Sequence, residues 1–389
     1  KQMVYGAGVE EMSVWKLEKK LHFKKLMDFD TIGGKSNKNG ARFDLDAMYV
    51  NWLGLSLKCY LPKSENSLSY VWESLKGKIS YCNIKRLMFS SGWRYYAEIV
   101  VSGDAPTRVL IGTSTMGIDP GVSTIAGVSE DACVLEELAP NAIQYEKKIQ
   151  KISQSMDRSR RISNPNKYNE DGTINRSNRD PWKYSKNYVK MCRLLKSLYR
   201  KKHAYIVDSH RKLCNKLITI AKYFPVEKMH FQALQKKAKE TRRQEKKTEV
   251  KQRDGTVKVI QKYKRKKRFG RSINRRAPAR FLLELKRKAE AVGGVYAEVD
   301  TKEFKASQYN HVTDTYEKIP LSQREKEIGN RKVQRDLYSA FLIRNADLDF
   351  KHPDREKCEY EFEHFANLQD QLILKMKESG LSMRQCFGF

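Results

Sequence analysis

Three carboxylates stand at positions where a side chain would be held rigidly: Asp119 in Met116-Gly-Ile-Asp-Pro-Gly, Glu227 in Phe224-Pro-Val-Glu, and Asp336 in Val333-Gln-Arg-Asp-Leu-Tyr. A carboxylate fixed at the end of an apolar strand is open on one side and suits a hard divalent cation such as Mg²⁺. Three acids that converge can hold two Mg²⁺ roughly 3.5 to 4 Å apart, one activating a water and the other stabilising the leaving oxygen of a phosphodiester. Each acid also has an ordinary reading. Asp-Pro-Gly is a common turn, Glu227 fits an exposed strand end, and Asp336 fits a favourable charge in the first turn of a helix.

The elements that must position these acids are visible in the patterning. Apolar Met116 and Ile118 lead to Asp119, Pro120 and Gly121 reverse the chain, and Thr124-Ile-Ala-Gly-Val starts a second strand, which predicts a hairpin. A third strand is expected around Ala132 to Leu138. Helices are predicted over 142–161 and 183–222, with a polar loop lacking any catalytic pattern, Asn164 to Thr173, between them. In the second helix Tyr188, Met191, Leu195, Leu198, Ile206, Leu213, Leu217 and Ile220 form an apolar stripe, read as core packing. Its cationic face (Lys190, Arg193, Lys196, Arg200, Lys201, Lys202) could lie along a phosphate backbone. The helix that carries Asp336 has an apolar face of Leu337, Ala340, Phe341 and Ile343. An Asp, Glu, Asp set on strand, strand and helix is the arrangement of an α/β RNase H-like fold. Nearer the N-terminus, strands from Lys78 and from Trp93, joined through Ser90-Ser-Gly92, place Trp93, Tyr95, Ala97, Ile99 and Val101 on one face. That is the pattern of a small, OB-like β-barrel with an aromatic face, and equally of a plain core strand.

Charge narrows the class of partner. The chain has 77 Lys and Arg against 46 Asp and Glu, a formal net charge of +31, and self-repulsion of this size is normally neutralised by a polyanion. From Gln235 to Arg276 there are 19 Lys and Arg against 4 Asp and Glu, including the run Arg265, Lys266, Lys267 and Arg268. This stretch reads as a solvated loop that orders on a nucleic acid. No apolar run approaches the roughly 18 residues of a membrane span, so a membrane protein is excluded and a cytoplasmic location is expected. The seven cysteines include no C-x-x-C pair and read as reduced thiols, with neither a zinc site nor a disulfide frame. A start without Met suggests that N-terminal sequence is missing.

The blocks Met116-Gly-Ile-Asp-Pro-Gly-Val-Ser-Thr-Ile-Ala, Asp157-Arg-Ser-Arg-Arg-Ile-Ser-Asn-Pro-Asn, Val226-Glu-Lys-Met-His-Phe-Gln-Ala-Leu-Gln-Lys, Phe304-Lys-Ala-Ser-Gln-Tyr-Asn-His and Gln334-Arg-Asp-Leu-Tyr-Ser-Ala-Phe-Leu together resemble the TnpB family. These are transposon-encoded RNA-guided nucleases related to type V CRISPR effectors, and the resemblance runs from about Gly77 to Arg344. It implies a RuvC-like nuclease domain over 114–346 with a basic helical insertion, preceded over 1–113 by part of a recognition lobe and a wedge-like barrel, and followed by a helical tail over 347–389. It implies that Asp119, Glu227 and Asp336 hold two Mg²⁺ and cut DNA, and that the partners are a guide RNA and a target DNA duplex. Two departures stand out. Many relatives carry a zinc ribbon before the third acid, whereas Asn310 and Thr313 occupy its first cysteine positions here and no second pair precedes Asp336. No zinc is therefore expected in the insertion at about 301–332. Lys228 stands where relatives often have an acidic or polar residue, and on a strand its side chain is expected to point away from Glu227. An RNA-guided repressor that does not cleave, and a guide-free resolvase-like nuclease, are the alternatives.

Overall fold

Alternating burial builds a central sheet whose two faces bury different cores. In the computed structural model the residues described are 29–106, 109–170, 172–235, 243–251, 256–263, 269–320 and 322–381. They divide into two compact units, one containing residues up to 106 with 186–197 and the other containing 109–185 with the residues from 198 on.

In the larger unit, β7 (Ser114–Thr115), β8 (Gly117–Pro120), β9 (Thr124–Val128), β10 (Cys133–Glu137), β11 (Ala221–Glu227) and β14 (Val295–Val299) form one sheet in the order β10-β9-β8-β11-β14, with β7 beside β11. The β8, β9 and β10 pairings are antiparallel, while β8, β11 and β14 run parallel. Because side chains alternate across a strand, Met116, Ile118, Phe224 and Val226 enter a core with Leu213, Leu217, Phe281 and Leu285. The intervening Gly117, Asp119, Pro225 and Glu227 consequently face the other side. Ala126 and Val128 on that side pack with Leu337, Phe341, Phe362 and Phe365. Helices α3 (Lys186–Ile220) and α6 (Pro278–Ala291) supply the first core, and α8 (Arg335–Arg344) and α9 (Arg355–Glu378) the second. The remaining helices are α2 (Ala142–Ser163), α4 (Phe231–Gln235), α5 (Gly270–Arg276) and α7 (Thr301–Phe304).

Several expectations need correction. The helix read as 183–222 stops at Ile220, because Ala221 already belongs to the buried period-two pattern of β11. Helix α8 is buried from Leu337 through Ile343, not on one face alone. The helical tail includes α9, whose Cys358, Phe362 and Phe365 join the core. In the basic stretch, β12 (Arg243–Lys251) and β13 (Val257–Tyr263) pair as an antiparallel ribbon, where the sequence suggested a solvated loop. The run Arg265 to Arg268 lies outside the described residues.

In the smaller unit, β1 (Thr31–Gly33), β5 (Ile79–Phe89) and β6 (Gly92–Val101) form one sheet, and β2 (Arg42–Asp44), β3 (Tyr49–Trp52) and β4 (Leu55–Lys58) another. They share a small core of Phe43, Val50, Leu75 and Cys82 with α1 (Glu65–Leu75). No strand of one sheet is hydrogen-bonded to the other among the described residues, and a cleft of about 1260 Å³ opens along Phe43, Val50, Tyr70, Ile84, Tyr96 and Ile99. A closed barrel is therefore not part of the described structure. The strand expected to be aromatic is split in role: Tyr95 is exposed, while the Trp93 ring has the guanidinium of Arg86 at 4.3 Å and the ammonium of Lys196 at 4.5 Å from its centroid.

Gly117 sets the spacing between β8 and α8, since a Cβ there would overlap the Ala340 carbonyl and the Arg344 amide. Gly117→Ala should lower unfolding free energy in urea by about 1–3 kcal/mol, as overpacking does. An unchanged midpoint would mean that α8 can back away without cost.

Candidate active site

Asp119 is the Cα partner of Ala126 in the β8–β9 ladder, and Glu227 is the last residue of β11, paired with Val299 of β14. Both are half-buried on the sheet face that α8 covers. Asp336 is the second residue of α8, in the first turn, where the helix dipole favours an anion. The three carboxylates act on one another. Burial and the charges of Glu227 and then Asp336 push the Asp119 carboxyl well above the usual range, and in its protonated form it hydrogen-bonds to Glu227. Burial also raises Glu227, opposed by the hydrogen bond from Asp119 and by the positive charge of Arg335. Asp119 and Glu227 therefore behave as a pair that keeps a proton to higher pH than isolated carboxyls do.

Neighbouring groups hold these acids in place. The Gln334 side chain caps α8 by accepting from the Leu337 amide at 2.7 Å, and the Gln334 amide donates to Gln369 Oε1 of α9 at 2.7 Å. Asp336 Oδ2 lies 3.5 Å from the Arg324 guanidinium and 3.4 Å from Gln334 Nε2. Thr301 Oγ1 is 2.6 Å from the Lys228 carbonyl and also reaches Glu227, so its single hydrogen serves one at a time. Lys228 turns away from Glu227 and pairs with Glu298 at 2.9 Å on the neighbouring strand. None of Gln334, Arg324, Arg335, Thr301 or Gln369 is singled out by sequence pattern. Gln is not a usual helix cap, and the others approach the acids only through the fold.

The donor set suits a hard cation in its chemistry: three carboxylates act on one another electrostatically, and a bound cation would offset the burial and like charge that raise Asp119 and Glu227. In this conformation no group of three ligating side chains is already closed around one point among the described residues.

No protein-family model and no curated protein matches the sequence. Among the solved structures that match are the following two. One, a Cas12f1–sgRNA–target DNA complex, shares 12% identity with a TM-score of 0.42, covering 73% of this chain and 48% of its own. The other, a CRISPR-Cas12f ternary complex, shares 13% identity with a TM-score of 0.32, covering 81% of this chain and 51% of its own. The chain thus spans about half the length of each. Among the described residues no helix is long and apolar enough to cross a membrane.

The cationic stripe of α3 is less uniform than its sequence suggests. Lys196 is paired with Asp30 at 3.2 Å, and Lys202 with Glu146 at 2.9 Å, so both spend their charge on the protein. Lys190, Arg193 and Lys201 are exposed, and Arg200 is half-buried. Lys190, Arg193 and Lys196 fall in the smaller unit, Arg200, Lys201 and Lys202 in the larger one.

The insertion before Asp336 is organised by side chains. β15 (Tyr309–Asn310) and β16 (Thr315–Tyr316) form one hairpin, β17 (Glu325–Ile328) and β18 (Arg331–Gln334) another. Asn310 Oδ1 accepts from the Val312 amide at 3.1 Å, and Thr313 and Thr315 hydroxyls lie 2.7 Å apart. Buried Lys326 donates its ammonium to the Tyr309 carbonyl at 2.6 Å and lies 5.3 Å from the Tyr338 ring. Buried His311 places Nδ1 2.8 Å from the Tyr338 hydroxyl and packs against Phe362.

Burial lowers His311 to about 4, from an ordinary value of 6.5. The unfolded chain therefore binds the extra proton first as pH falls. The neutral native ring favours folding in full above about pH 6.5, and that contribution is lost between about 6.5 and 4, to an extent on the order of 2–3 kcal/mol. Replacing His311 with Gln should flatten that part of the stability profile. A profile as steep as wild type, measured by urea unfolding across pH 7 to 4, would assign it to other groups, with His210 the next to test because burial lowers it to about 4 as well.

Proposed function

We propose that this chain is an RNA-guided, Mg²⁺-dependent DNA endonuclease of the TnpB and type V kind, working through a RuvC-like site. The observation that carries the reading is the convergence of Asp119, Glu227 and Asp336 on the α8 side of a sheet ordered β10-β9-β8-β11-β14, where burial first, and then the charge of Glu227 on Asp119 and of Asp336 on both, raises the Asp119 and Glu227 carboxyls. That strand order, antiparallel over the first three strands and parallel after them, is the one an RNase H-like nuclease uses. The net charge of +31 supports polyanionic partners, a guide RNA and a DNA duplex.

Asp119, Glu227 and Asp336 would hold Mg²⁺, which when bound supplies Lewis-acid activation of a water and stabilisation of the leaving oxygen of a phosphodiester. The chain's own residues set the conditions for that chemistry. β8 and β11 fix Asp119 and Glu227 with little freedom, and the Gln334 cap holds the first turn of α8, so that all three acids are preorganised. Arg335 balances part of the negative charge on Asp119 and Glu227, and Arg324 does so for Asp336. Pairing with the guide would read sequence, while the protein reads backbone shape. The presence of all three acids weighs against a repressor that does not cleave. Zinc has no role in this reading.

Asp119→Ala should abolish DNA cleavage by protein carrying its own RNA while guide-directed DNA binding stays within a few-fold of wild type. Cleavage undiminished in this variant would remove Asp119 from the catalytic set, and joint loss of binding and cutting would make it structural. Protein purified at low salt should contain a discrete RNA, and removal of that RNA should abolish site choice. Site-specific cutting by RNA-free protein would favour a resolvase-like nuclease. Chelation of Mg²⁺ should stop cleavage, and metal analysis should find no stoichiometric zinc.

A further inference from the structure

The β12–β13 ribbon belongs to no larger sheet among the described residues. A two-stranded ribbon by itself is marginally stable in water. Its register pairs Lys247 with Gln261, Glu249 with Val259, and Lys251 with Val257, so that Lys247, Glu249, Val257 and Val259 share one face. All four are exposed, the two valines by 55% and 56%. Over 243–251 and 256–263 the ribbon has six Lys and Arg against two acids. Two neighbouring valines held in water on a cationic ribbon indicate a face that meets a partner with both negative charge and small apolar features.

We propose that this ribbon docks in the major groove of duplex DNA and contacts base edges there. The dimensions fit. β12 has nine residues, about 30 Å at roughly 3.3 Å per residue, and its strand lies about 4.8 Å from its neighbour. The major groove of B-form DNA, about 12 Å wide and 8.5 Å deep, admits a two-stranded ribbon. The deep, narrow major groove of A-form RNA does not, which selects DNA over an RNA duplex. The exposed side chains match what that groove offers. Val257 and Val259 suit the thymine methyl, Glu249 can accept from the cytosine amino group, and Lys247 can donate to guanine or to a flanking phosphate. A surface built only to follow phosphates would have no use for the valines or the glutamate. The proposal rests on the reading of the chain as a DNA-handling protein, and it is independent of the carboxylate site.

The test uses full-length protein with its copurified RNA, made cleavage-inactive by Asp119→Ala, and a 20-base-pair DNA duplex beside an RNA duplex of the same sequence. Adding Lys247→Glu and Val259→Glu should weaken DNA-duplex binding by at least about 10-fold, and Lys247→Ala alone should lower the slope of log affinity against log salt by about 1. Binding to the RNA duplex should change less than about 2-fold. Dimethyl sulfate should report protection of guanine N7, which lies in the major groove, by the Asp119→Ala protein, and Lys247→Ala should diminish that protection. Equal losses on both duplexes, or unchanged DNA binding with no N7 protection, would overturn the proposal. Because the double variant could unfold the ribbon, N7 protection by protein without it stands as a separate arm, and its absence alone is enough to reject major-groove docking. If the wild-type protein, loaded with its RNA and Mg²⁺, never cleaves while the Asp119→Ala protein protects N7, the nuclease reading falls and this one stands.

Discussion

Like charges held together against their repulsion are the constraint on which the larger unit depends. Asp119 and Glu227 would separate or stay protonated if left to themselves, and burial makes their repulsion stronger because a low-dielectric environment screens it less. What opposes separation is packing on both faces of the sheet, together with the positive charge of Arg335. Phe224, Val226 and Ile118 fix β8 and β11 from one side, and Leu337, Phe341 and Phe365 fix α8 from the other. The close approach at Gly117 brings the helix backbone onto β8. A site of this kind trades stability for preorganisation: the same unit would fold more readily with the acids removed.

Much of this was legible in the residues. The Asp119 hairpin, the strand at Cys133, both long helices and the helix of Asp336 follow from period-two and period-3.6 patterning, because each element buries one face or one stripe. The junctions were harder. Helix α3 passes directly into β11 at Ala221 with no glycine or proline at the junction, and the first sequence mark of the change is Pro225, four residues on. Helix α8 was read as amphipathic, yet Tyr338 and Ser339 are buried too, because Tyr338 finds a polar partner in His311 from the insertion. A pairing between residues 27 positions apart leaves no local signature. The same holds for Gln334, which caps a helix against the usual preferences because Gln369 of α9 supports its backbone from the far side.

The basic character of the chain is likewise divided by the fold. Lys196 and Lys202 are absorbed by Asp30 and Glu146, and Lys196 and Arg86 both lie against the Trp93 ring. Cations that look equivalent along a helix thus separate into those that hold the protein together and those, such as Lys190, Arg193 and Lys201, that remain on its surface. Their effects on an external anion should differ accordingly, since a cation already satisfied gives up one attraction to gain another.

Lys326 has a consequence for how the insertion persists over time. A knuckle clamped by an exchangeable ion can open whenever the ion departs, and its lifetime then follows ion exchange with the surroundings. An ammonium covalently attached to its own strand, bonded to the Tyr309 carbonyl and roofed by the Tyr338 ring, cannot diffuse away. Opening this knuckle means parting Lys326 from the Tyr309 carbonyl and the Tyr338 ring, so its lifetime follows the packing of the insertion and not the exchange of a bound ion.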